Sequence, residues 1–115
     1  MKIKIRETGE VVEVAVEGNV LQENVNLFKN RIIDLIDNGK TKIVLNLVDT
    51  SYISSLCLAV IVTAKKKLVT KQGDIKIALV NQLVRNLLEI TNLVKKVELY
   101  ESVDDAVASF SIKKE

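Results

Sequence analysis

Residues 43–48, "IVLNLV", are an almost unbroken run of β-branched and aliphatic residues, and the segments on either side of them carry helical periodicity. A strand this apolar is covered on both faces, and strands that alternate with helices run parallel, because parallel neighbours are joined by crossovers. Those two conditions restrict the chain to an α/β sheet with helices packed against it.

The rest of the chain fits that restriction. Ile3 and Ile5 alternate with Lys2, Lys4 and Arg6, and after Thr8-Gly9-Glu10 the stretch VVEVAVEG alternates again, which predicts a β-hairpin. From Leu21, apolar residues at Val25, Phe28, Ile32, Leu35 and Ile36 fall on one helical stripe, and Asn38-Gly39 supplies a left-handed stop. Leu56 to Leu68 reads as a second helix, apolar all round at its start and ending near Gln72-Gly73, so that start is expected to be largely buried. DIKIALV is the next strand and NQLVRNLLEITNLV the next helix, with Leu83, Leu87 and Ile90, or Val84, Leu88 and Thr91, on adjacent rows. KVELY gives a last short strand. Ser102 followed by Asp105 resembles a capping box that opens a final helix with Val103, Ala106, Val107 and Phe110 on its apolar stripe.

The predicted order is β-β-α-β-α-β-α-β-α: one domain over residues 1–115, a mixed sheet of four to five strands and about four helices, with 112–115 expected to fray. Binding sites in such sheets gather where strands end and helices begin, which directs attention to Asp49–Ser55.

Composition removes several function classes. The 17 Lys and Arg against 15 Asp and Glu leave a net charge of +2, too small to drive nonspecific nucleic-acid binding. Lys65, Lys66 and Lys67 have no aromatic residues interleaved for base stacking and read as a solvated helix face. The chain has no histidine and a single cysteine, so neither a histidine-based triad, a histidine zinc site nor an internal disulfide is available. Four isolated glycines cannot form a phosphate-cradling loop, and the pairs Asp34/Asp37 and Asp104/Asp105 sit at helix ends and exposed faces. No catalytic residue, cofactor or metal is expected. The opening MKIKIRETGE lacks the apolar core of a signal peptide and the longest apolar run, Leu56 to Val62, is far shorter than a membrane span, which predicts a cytoplasmic protein without a membrane partner.

Ser54 and Ser55, at the junction of strand-like and helix-like sequence, carry two readings. One hydroxyl can cap the helix by accepting from a free backbone N–H. Alternatively, a serine here can accept a phosphoryl group, which would meet the positive end of the helix dipole and unpaired amides. Cys57, one turn in, reads as a small buried thiol.

KIVLNL, VDTSYISSLCLAVIVTAKK and DIKIALVNQLVRNLLEITNLVKKVELYESVDDAVASF together resemble the STAS domain of bacterial anti-sigma factor antagonists along almost the whole chain. In that family the strand leads into an aromatic-Ile/Met-Asp-Ser-Ser/Thr-Gly-Leu-Gly junction. Position by position, Tyr52 and Ile53 take the aromatic and aliphatic places, Ser54 stands where the family has Asp, Ser55 falls on the serine phosphorylated by family kinases, and Leu58 matches the motif leucine. Leu56 stands where Ser or Thr is usual, Cys57 and Ala59 replace two glycines, and Leu21 replaces the acid of the family's Gly-x-hydrophobic-Asp segment.

The resemblance implies partner switching. The unmodified domain binds an anti-sigma factor that is also a serine kinase, phosphorylation of Ser55 ends the binding, and a phosphatase restores it. The implied contact face comprises Asp49, Ser51, Tyr52, Ser54, Ser55, Leu56 and Cys57 with Asn19 and Leu21 of the Gly18–Gln22 turn, Ser54 also serving as the helix cap. A second reading is a scaffold that is never phosphorylated and assembles with itself or with other STAS proteins, Leu56 and Leu21 forming a permanent interface. A small-ligand sensor is a third, although no convergent polar set is evident to orient a ligand.

Overall fold

The computed structural model describes residues 1–111, so the tail at 112–115 lies outside the described residues. Strands β1 (Lys2–Thr8) and β2 (Val11–Glu17) pair antiparallel with Ile5 opposite Val14. Strands β3 (Lys42–Asn46), β4 (Asp74–Ala78) and β5 (Leu99–Tyr100) then add in parallel, giving one five-stranded mixed sheet in the order β1-β2-β3-β4-β5.

Helices α1 (Val25–Asp37), α2 (Ser55–Val69) and α3 (Gln82–Ile90) connect the parallel strands, and α4 (Val103–Ser109) follows β5. The first three share one core with Val12, Val14, Val16, Ile43, Leu45, Ile75 and Ile77. Strands added in sequence by crossovers of one hand place every crossover helix on the same face. The opposite residues, Val11, Val44 and Ala78, form a second cluster with Ala106 of α4. Burial of β3 and β4 on both faces is why their sequences lack alternation.

Lys76 is the buried charge in β4, only 6% exposed. Its ammonium donates to Ser109 Oγ at 2.6 Å, lies 4.2 Å from the centroid of the Phe110 ring and pairs with Glu98 at 3.5 Å, so the end of α4 covers the charge and Glu98 neutralises it.

Several boundaries differ from the sequence reading. The first helix begins at Val25 because Leu21–Asn24 closes on itself: Leu21 N–H donates to Asn24 Oδ1 at 2.8 Å, and Asn24 N–H to the Leu21 carbonyl at 3.1 Å. Its end follows expectation, with Gly39 at φ +85° and Lys40 N–H reaching back to the Leu35 carbonyl at 2.9 Å. The central strand stops at Asn46, whose Oδ1 accepts from Val48 N–H, leaving Val48 exposed in the loop.

The predicted helix over NQLVRNLLEITNLV is two pieces. Thr91 Oγ1 bonds back to the Leu87 carbonyl, Asn92 turns left-handed at φ +62°, and a separate 3-10 turn covers Leu93–Lys95. At the start of α4, Ser102 Oγ accepts from Asp105 N–H at 3.0 Å, the serine half of the expected capping box.

The start of α2 is only half buried. Cys57 and Leu58 enter the core, while Leu56 is 45% exposed and Ala59 faces outward. The helix is apolar all round there, but the sheet lies on one side of it.

Candidate functional site

The C-terminal ends of the parallel strands and the N-termini of the helices meet at one pole, where the turn after β2 lies against the loop between β3 and α2. Backbone bonds join them: Gly18 N–H to the Asp49 carbonyl (3.0 Å), Val20 N–H to Tyr52 (3.2 Å) and Ser54 N–H to Val20 (2.8 Å). Val20 and Ile53 thus form an isolated parallel bridge, both side chains buried beneath it.

Side chains complete the join. Asn19 Oδ1 accepts from Ser51 N–H and from Tyr52 N–H, each at 3.1 Å, and Asn24 Nδ2 donates to the Asn19 carbonyl at 3.0 Å. Thr50, 2% exposed, donates its hydroxyl to the Val16 carbonyl at 2.9 Å. Asn81 caps α3 by accepting from Val84 N–H, and its Nδ2 donates to the Ser51 carbonyl at 3.0 Å. One loop is therefore held from both neighbouring crossovers, and the first turn of α2 is fixed with it.

The two serines diverge on this frame. Ser54, in an extended conformation, is the N-cap: its Oγ accepts from Cys57 N–H at 3.3 Å and its carbonyl from Leu58 N–H at 3.2 Å. Ser55 is the first helical residue and its side chain is exposed. No acidic residue occupies the first turn of α2, so the positive end of the helix dipole is not neutralised by a side-chain carboxylate there.

Asp49, Ser51, Tyr52, Ser55 and Leu56 are all exposed on this joined segment, as is Asn19, while Leu21 is half-buried. Tyr52 is 40% exposed and contributes the only aromatic ring among them. Cys57 is turned away into the core at 1% exposure, which removes its side chain from the contact face, and burial pushes its thiol up to about 12. Leu58 is likewise core.

Asn19, placed in the predicted contact set, is exposed, and its amide oxygen also holds the loop. Thr50, Asn24 and Asn81 are further positioning residues that sequence reading missed. Only Asn81 left a local signal, an Asn ahead of a helical stripe. Among the described residues no helix is long and apolar enough to cross a membrane.

The sequence profile of the STAS domain matches residues 2–106. A provisionally named anti-sigma factor antagonist homologue from Thermotoga neapolitana is 35% identical over 86 residues, covering 74% of this chain and 76% of the relative. The crystal structure of a provisionally named anti-sigma factor antagonist from Thermotoga maritima superposes with a TM-score of 0.89 at 29% identity, covering 93% of this chain and 92% of the other. The Bacillus cell fate determinant SpoIIAA in its phosphorylated form shares the fold at a TM-score of 0.75 and 16% identity, over 95% of this chain and 99% of that one. The chain belongs to the STAS domain family and, within it, to the anti-sigma factor antagonists, which are regulatory binding proteins and not enzymes.

Proposed function

We propose that this chain antagonises an anti-sigma factor by partner switching, binding it through Asp49, Ser51, Tyr52, Ser55 and Leu56 and releasing it when Ser55 is phosphorylated. The observation that carries the reading is the division between the serines: Ser54 is committed to the cap, while Ser55 is exposed at the first helical position. A phosphoryl group brings about −1.5 to −2 charges, which unpaired first-turn amides accommodate and an apolar partner surface seated on Leu56 does not. The existence of a phosphorylated SpoIIAA on the same fold supports the assignment. The proposed partner is an anti-sigma factor with serine kinase activity, a phosphatase resets the system, and the setting is the cytoplasm.

A second reading is favoured by the exposed side chains of Leu56 and Tyr52, which suit a permanent interface in a homo-oligomer or with other STAS domains. Replacing Leu56 by Ser separates the two: a weakened oligomer supports the scaffold, whereas gain of phosphorylation supports a switch. The direct experiment incubates the purified chain with lysate of its source organism, ATP and Mg, then measures intact mass and maps any modification by fragmentation. One added phosphoryl group on Ser55, absent from Ser55→Ala, is expected. An unchanged mass with a partner still bound would leave the scaffold.

A further inference from the structure

At the opposite pole, the C-terminal half of α2 and the segment after α3 enclose a groove of about 260 Å³ lined by Val62, Lys65, Lys66, Lys96 and Val97. Val97 is only 2% exposed, so the floor is apolar and recessed and the rim is cationic. Lys67, Lys71 and Lys95 are exposed close by in the chain. Lys65 is paired with Asp74, but Lys66 and Lys96 take part in none of the ion pairs among the described residues. Carboxylates next to this region are already engaged, Asp74 by Lys65 and Glu98 by Lys76.

Lysines in the last turn of α2 complement its dipole, which explains one or two of them but not the convergence of Lys66 and Lys96 from distant parts of the chain on one apolar slot. We propose that this groove docks an acidic segment of a partner protein, with an apolar side chain entering between Val62 and Val97 and flanking carboxylates pairing with Lys66 and Lys96. The lining has neither an aromatic ring nor an arginine to read nucleic acid. A bilayer surface would reach the lysines but not the recessed Val97.

Lys66 lies eleven residues along α2 from Ser55, about 16 Å at the helical rise and beyond the Debye length of about 8 Å at physiological salt. The groove therefore operates independently of charge on Ser55, and two partners can be held at once.

The test titrates the isotope-labelled full chain with a synthetic peptide carrying a central Leu-Leu pair flanked by glutamates, and with its glutamine counterpart, following amide shifts. Saturable shifts confined to Val62–Lys71 and Val94–Val97, given by the glutamate peptide only, are expected. Lys66→Glu with Lys96→Glu should weaken binding about tenfold or more, as reversal of two rim charges implies, and Ser55→Asp should leave it unchanged. If the double variant fails to fold by thermal melting, single Lys66→Ala and Lys96→Ala each serve with a loss of about threefold. Undiminished binding by these variants, shifts centred elsewhere, or tighter binding of phosphatidylserine vesicles or duplex DNA than of the peptide would overturn the proposal.

Discussion

Asn19→Ala tests whether one amide oxygen holds the loop that presents Ser55. That oxygen accepts two backbone N–H groups, Ser51 and Tyr52, each at 3.1 Å, in an exposed setting. A buried pair of such bonds contributes about 0.5–1.5 kcal/mol each, and water can partly replace both here, so the loss is about 1–1.5 kcal/mol in all. For a domain of this length, with an unfolding entropy near 0.24 kcal/mol/K, that is a Tm drop of about 4–6 °C.

Asn19→Asp keeps the acceptor oxygen and places a negative charge near the start of α2, so its stability should stay within about 0.5 kcal/mol of the parent. Denaturant unfolding with an unchanged m-value gives the energies, and amide exchange should accelerate at Ser51 and Tyr52 in the alanine variant alone. An Asn19→Ala protein within about 0.3 kcal/mol of the parent with unaltered exchange, or an aspartate variant as unstable as the alanine one, would refute the clamp.

Ser54→Ala should cost about 1 kcal/mol as a lost cap, whereas Ser55→Ala should leave denaturant stability nearly unchanged, and equal losses would contradict the division of roles. Cys57 should resist thiol reagents in the native state and react only on unfolding, as followed by mass. Because burial raises its pKa to about 12 in the fold, its contribution is complete below about pH 8.5 and is lost as pH rises toward 12, so Cys57→Ala should show a shallower fall in unfolding free energy between pH 9 and 11 than the parent. Gly73→Ala would drive a Cβ to 2.1 Å from the Thr41 carbonyl oxygen where β3 and β4 begin, and a loss of about 3 kcal/mol in chemical denaturation is expected.

The sheet was legible in the sequence because burial on two faces, burial on one face and helical stripes leave different periodicities, and these do not depend on tertiary detail. Boundaries were less legible where a side chain competes with the backbone. Asn24 diverts Leu21 from α1, Asn46 ends β3 before Val48, and Thr91 with Asn92 cuts the third helix short. Each is a short polar residue whose local bond is visible only once the neighbouring segment is placed.

The serine junction was legible as a helix start. The clamp by Asn19 and Asn81 was not, since it joins residues about thirty positions apart. The expectation that the start of α2 is largely buried failed at Leu56 and Ala59, because apolarity around a helix does not say which side the sheet occupies.

The residues around Ser55 also determine how a charge there would act. The resemblance places glycines at the positions of Cys57 and Ala59, and at Ala59 a Gly-to-Ala difference within a helix favours the helical state by roughly 0.5–1 kcal/mol, with a smaller gain at Cys57. Cys57 is additionally locked in the core and its N–H is held by Ser54. The first turn of α2 is therefore preformed, and the proposed switch must work through electrostatics at the interface and not through melting of the helix. Ser55→Asp places a carboxylate at the positive end of α2 in a first turn with no acidic residue, which should stabilise the isolated protein by about 0.3–1 kcal/mol. The same charge beside Leu56 should weaken the captured partner, because closing an apolar contact over Leu56 contributes only about 1 kcal/mol while desolvating the carboxylate costs more. Unfolding and binding measured on one variant thus move in opposite directions; a Ser55→Asp protein that loses more than about 1 kcal/mol of stability would mean that charge melts the turn, and the electrostatic account would fail.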